Sequence, residues 1–81
     1  MKLDEIKAGE IFCIKGSKTY PKLRLDVGYV DIRNMIRSVH DLKNYDCELM
    51  SEGAIAEEFR KYGMTMDDVK NLKRKLSAKF N

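Results

Sequence analysis

The stretch that most restricts how this chain can fold is its last sixteen residues. Val69, Leu72, Leu76 and Phe80 recur at helical spacing and form one apolar stripe, while Lys70, Lys73, Arg74, Lys75 and Lys79 occupy the rest of the surface. Thr65-Met66-Asp67-Asp68 immediately before the stripe has the spacing of a capping box, and both acids suit the positive end of a helix dipole. Such a helix holds its shape only when its stripe is covered. The rest of the chain must therefore supply an apolar surface, and its patterns are largely those of strands.

Residues 10–15 are rich in β-branched and aromatic side chains and lie between Gly9 and the Gly16-Ser17 turn signal, which predicts a strand. Residues 19–25 alternate, with Thr19, Leu23 and Leu25 on one side and Tyr20, Lys22 and Arg24 on the other. Pro21 lacks a ladder donor, which favours an edge position or a bulge. Asp26-Val27-Gly28 can turn the chain into a further alternating stretch, with Val30 and Ile32 inward and Tyr29, Asp31 and Arg33 outward. Ile32, Met35, Ile36, Val39 and Leu42 then fall at helical spacing, so a helix is expected near 32–42, the alternative being a turn and another strand. After the breaker Asn44, residues 45–50 alternate as a last strand. Ser51 is placed to cap a helix that carries Ile55, Phe59 and Tyr62 on one face, and Gly63 is placed to close it. The expected architecture is α+β: a small antiparallel sheet of three to four strands followed by a C-terminal helical hairpin. Residues 1–50 are mainly β and residues 51–81 form the two helices.

Eighty-one residues suffice for one domain spanning 1–81, since a second core would leave each half too little apolar surface. One core of this size supplies only about 3–5 kcal/mol, which makes a homodimer or a bound partner a natural expectation. No apolar run approaches the roughly 20 residues needed to cross a bilayer, and Met1 to Glu10 is too acidic for an export signal. We therefore expect a cytoplasmic protein with no membrane partner. Cys13 and Cys47 lack the spacing of a zinc site and the density of a disulfide scaffold, and are expected to be reduced and mostly buried.

The formal charge of +3 is unevenly spread. Residues 1–50 carry nine Lys/Arg against eight Asp/Glu, residues 51–65 two against three, and residues 66–81 five against two. Lys15, Lys18, Lys22 and Arg24 make a second concentration, with no acid until Asp26. Tyr20, Lys22 and Arg24 opposite Tyr29 and Arg33 would place aromatic rings and cations on one sheet surface, the combination that holds single-stranded nucleic acid. An ordinary solvated sheet face accounts for the same pattern. The helical pair superficially resembles a DNA-binding helix-turn-helix, through Ile55-Ala56-Glu57-Glu58 and Val69-Lys70-Asn71-Leu72, but the stretch from Ala56 to Gly63 is too long for that compact turn. A plain helical pair fits better.

His40 is the one histidine, and no nucleophile or second acid is marked beside it except the sequence neighbour Asp41. Cys13, His40 and Cys47 lack metal-ligand spacing. No Gly-rich phosphate loop, nucleophile elbow or paired-carboxylate pattern occurs, so an enzyme is disfavoured and no catalytic residue, cofactor or metal ligand is assigned.

Lys7-Ala8-Gly9-Glu10-Ile11-Phe12, Tyr20-Pro21-Lys22-Leu23 and Gly28-Tyr29-Val30-Asp31-Ile32-Arg33 together resemble small uncharacterised β-modules of tailed phages and bacteria. The resemblance implies a compact sheet with turns at Gly9 and Gly28, favours a turn or strand after Arg33, and implies no activity. It suggests an accessory protein acting in a host cytoplasm. Two functions are expected in this order. The first is a regulatory protein binding RNA, slightly ahead of DNA, through Lys18, Tyr20, Lys22, Arg24, Tyr29, Arg33, Lys70, Lys73 and Arg74. The second is an inhibitor or adaptor that binds a host enzyme, a toxin or a defence component through the helical hairpin, with Met64 and Met66 at the helix junction serving either an adaptable contact or the core.

Overall fold

Ile11-Phe12-Cys13-Ile14 is apolar at four consecutive positions, a pattern suited to a strand covered on both faces. In the computed structural model, which describes residues 1–39 and 42–80, this segment is β1 (Ile11–Ile14) of a five-stranded antiparallel sheet. The other strands are β2 (Lys22–Arg24), β3 (Tyr29–Asp31), β4 (Ile36–Ser38) and β5 (Cys47–Leu49), in the order β4-β3-β2-β1-β5. β1 to β4 form a meander, and β5 returns to pair with the outer side of β1, Cys13 opposite Glu48 and Ile14 opposite Cys47.

Two apolar clusters flank the sheet. Ile11, Cys13, Leu23, Leu25, Val30, Ile32 and Met50 meet Ile55 and Phe59 of α1 (Glu52–Arg60) and Val69 and Leu76 of α2 (Met66–Phe80). On the opposite face Phe12, Tyr29 and Cys47 are covered by Leu3 and Ile6, around a single 3-10 turn at Leu3–Glu5, and by Leu42.

The helix signals act as their chemistry requires. Ser51 Oγ accepts from Ala54 N at 3.2 Å, and Gly63 takes φ +72 after α1. Asp68 N donates to Thr65 Oγ1 at 3.2 Å while Asp68 Oδ2 accepts from Thr65 N at 2.8 Å. The α+β expectation holds, with four corrections of detail. There are five strands rather than three to four. The helices do not stand out as a hairpin, because their apolar residues are directed at the sheet cluster and α1 and α2 touch each other only sparsely.

The helix expected near 32–42 is instead a turn followed by β4. Asp31 Oδ1 accepts from Arg33 N and Asn34 Oδ1 from Ile36 N, each at 3.0 Å, and Met35 N donates to Asp31 O at 2.8 Å. These local bonds compete with helix formation. The apolar residues at helical spacing go to different places: Ile32 to one cluster, Leu42 to the other, and Met35, Ile36 and Val39 to the surface. Pro21 neither marks an edge nor makes a bulge. It precedes β2, the central strand, at the end of the β2–β3 ladder: its carbonyl accepts from Ile32 N at 3.1 Å, and only the reciprocal bond that an N–H at this position would give to Ile32 is lost.

Candidate functional site

The aromatic and basic residues of β2 and β3 share one sheet face, as alternation predicts, but that face is covered rather than open. Arg24 shows why. Its Nε donates to the carbonyls of Leu3 and Ile6, both at 3.2 Å, and its Nη1 to those of Leu25 at 2.9 Å and Gly28 at 2.6 Å. The guanidinium fork ties the N-terminal segment and the β2–β3 turn to the middle of the sheet, its Nε and Nη1 donors given to backbone. Gly28, at φ +77, is confined to glycine there, because a Cβ would lie 2.1 Å from Ser38 O.

Tyr29 is 9% exposed and packs edge-on against Phe12, ring centroids 5.9 Å apart. Lys22 is 8% exposed and donates from Nζ to Tyr20 O at 2.9 Å. Lys22, Arg24 and Tyr29 are thus removed from the expected contact surface. Alternation distinguishes the two faces of a strand but does not say whether the second meets water or another layer. Leu3 and Ile6, three residues apart ahead of the sheet, were the sequence signal for that layer.

Lys18, Tyr20 and Arg33 are on the surface. The β3–β4 turn holds Arg33 so that its guanidinium carbon lies 5.0 Å from the centroid of the Tyr20 ring and 6.0 Å from that of Tyr62, which follows α1. The Lys22 ammonium is 5.9 Å from the Tyr20 ring. Both guanidinium distances are within cation–π range. The chain therefore brings two tyrosines from distant segments to one arginine. Spacing puts Tyr62 on the core face of α1, yet it is 46% exposed: α1 ends at Arg60 and the chain tightens there, Tyr62 N donating to Phe59 O at 3.0 Å.

Tyr62 and Arg33 also border a groove of about 350 Å³ whose other walls are Ile32, Phe59, Met64 and Leu72. Glu58, 6% exposed, accepts from Lys61 Nζ at 3.0 Å and from the Tyr62 hydroxyl at 3.4 Å. Its bond holds the Lys61 ammonium above the usual lysine range.

The basic helix is split by its own geometry. With 3.6 residues per turn, Lys75 and Lys79 follow Leu72, which lines the groove, along one flank of α2, whereas Lys70, Lys73 and Arg74 lie on the other. Lys70 and Arg74 are exposed and Lys73 half-buried. Helical position therefore puts the expected set Lys70, Lys73 and Arg74 on the flank away from Leu72, and Lys75 and Lys79 on the same flank as Leu72.

Cys13 and Cys47 are unpaired and buried. Burial pushes both thiols up, and for Cys13 the Glu48 carboxylate, 3.7 Å from Sγ, adds to the rise. Neither is an activated nucleophile. His40 and Asp41, weighed for acid–base chemistry and, with the cysteines, for metal binding, lie outside the described residues. Among the described residues no group of three His, Cys, Asp or Glu could hold a metal ion, and no helix is long and apolar enough to cross a membrane. No protein-family model, curated protein or solved structure matches the chain.

Proposed function

We propose that this chain is a small regulatory or accessory protein that binds single-stranded nucleic acid, RNA ahead of DNA, in the cytoplasm and without a catalytic role. The observation that carries this reading is the position of Arg33 between the rings of Tyr20 and Tyr62, at the lip of an apolar groove. Rings offer stacking surfaces to unpaired bases, and Arg33 can meet the adjoining phosphate. Lys18 beside Tyr20, and Lys75 and Lys79 along the groove flank of α2, supply further charge.

Titration of labelled single-stranded RNA and DNA across a salt series tests it. Binding should weaken linearly in a log–log plot, and Arg33→Ala should cost roughly tenfold at fixed salt. Lys75→Gln with Lys79→Gln should flatten the salt slope more than Lys70→Gln with Arg74→Gln. Absence of binding at low salt, or binding indifferent to salt, would remove the proposal.

A second reading, an inhibitor or adaptor for another protein, is favoured by a different observation. Ile36 of the outer strand β4 is 62% exposed and is flanked by exposed Met35 and Val39, and an open apolar edge can accept another strand. A partner that survives nuclease treatment and is lost with Ile36→Lys would support this reading. Concentration-dependent sedimentation abolished by the same substitution would assign the edge to a homodimer.

A further inference from the structure

The groove beside Arg33 has a character that narrows what it can hold. Its walls are apolar except for Arg33 and the Tyr62 hydroxyl, and that hydroxyl is directed to Glu58. Glu58 therefore acts as a positioning residue: it anchors the Tyr62 ring and occupies the one hydroxyl that could read a ligand edge. The volume of about 350 Å³ is near the lower end of the roughly 300–1,000 Å³ range of small-ligand pockets. A single nucleobase fits such a space.

The surroundings select for negative charge on what enters. Arg33 stands at the lip, and Lys75 and Lys79 share the helical flank of Leu72, the α2 residue that lines the groove. Two acids of these same segments accept backbone bonds within their own turns, Asp31 from Arg33 N and Asp68 from Thr65 N. We infer that the groove takes one unpaired nucleobase of a single strand, its face against Tyr62 and the apolar floor and its phosphates toward Arg33. This rests on the function proposed above.

Because contact is made with ring faces and not with base edges, the groove accepts any base. Preference follows stacking area, purine above pyrimidine. Duplex bases are unavailable to it.

Fluorescence anisotropy with four labelled ligands of equal phosphate number tests the inference: oligoadenylate, oligouridylate, an oligomer of abasic sugar-phosphate units, and a duplex. Oligoadenylate should bind roughly 5- to 100-fold tighter than the abasic oligomer, with oligouridylate between them and the duplex no better than the abasic strand. Tyr62→Leu, at an exposed position, should bring oligoadenylate down to the abasic level and leave the abasic affinity unchanged. Met64→Glu, its fold checked by circular dichroism, should do the same by filling the groove with charge. Equal affinity for the adenylate and abasic strands, with the salt slope intact, would overturn base insertion while leaving nucleic-acid binding standing. Failure of all four ligands at low salt would overturn both.

Discussion

Arg24 and Asp46 show how far a charged residue's role depends on what lies next to it. Arg24 reads in the sequence as one of a row of outward cations, yet it donates to four carbonyls from two segments. Arg24→Met, which keeps the stem and removes the fork, should destabilise the fold by about 2–4 kcal/mol in urea denaturation, since partly buried carbonyls lose charge-assisted donors. Arg24→Lys should recover only part of the loss, as one ammonium cannot span both pairs of acceptors. Neither change should alter the salt slope of nucleic-acid binding by the folded fraction. Asp46 is a contrasting case at the surface. The N-terminal ammonium lies 2.5 Å from Oδ1, and its hydrogen bond and charge hold the Asp46 carboxyl below its ordinary value of 3.8. A carboxyl whose folded pKa is depressed contributes stability above its unfolded pKa and loses it as the pH falls through the folded one. Asp46→Asn should therefore lower the urea midpoint at neutral pH, and the deficit should close as the pH falls below about 3.8. A deficit that persists in acid would mean the side chain acts through packing instead.

The helices, strands and turns differ in how openly the sequence announces them, and the difference is one of range. Ser51, Gly63 and the pair Thr65 and Asp68 act on groups at most three residues away, so α1 and α2 are legible from short stretches. β1, β2, β3 and β5 are legible from alternation or from apolar runs between breakers. The β3–β4 turn was obscured by an accidental helical spacing of apolar residues. The covered face of the sheet was obscured because its cover comes from Leu3 and Ile6, far in sequence from Arg24 and Tyr29. For the same reason Tyr20 and Arg33 could be named as a site in advance while Tyr62 could not. The turn itself carries strain: Met35 has φ +61, a left-handed conformation that costs a side-chain-bearing residue roughly 1–2 kcal/mol. Met35→Gly should raise stability by up to about 1 kcal/mol after the entropy cost of glycine, measured by chemical denaturation. Because the same turn presents Arg33, this variant should also change affinity for single strands, which the titrations above would detect.

Across the whole molecule, the two apolar clusters divide the sheet into a protected middle and unequal margins. β1, β2 and β3 contribute to both clusters or lie between them, and β5 has its Cys47 amide and carbonyl bonded to Met1 O at 2.7 Å and to the N-terminal ammonium at 2.9 Å. β4 has neither cover nor, among the bonds described, a strand on its outer side. Native-state hydrogen exchange should accordingly find the slowest amides in β1 to β3 and markedly faster exchange in β4. Uniform protection across all five strands would indicate that the β4 edge is occupied in solution. The pairing of β5 with β1 also has a meaning in time. On a ribosome β1 emerges early and can find β2 as soon as that strand follows, but its other edge waits until the chain has reached Cys47 to Leu49. The first strand made is thus among the last to be completed, and the nascent meander carries Phe12 and Cys13 through most of synthesis with one side unguarded.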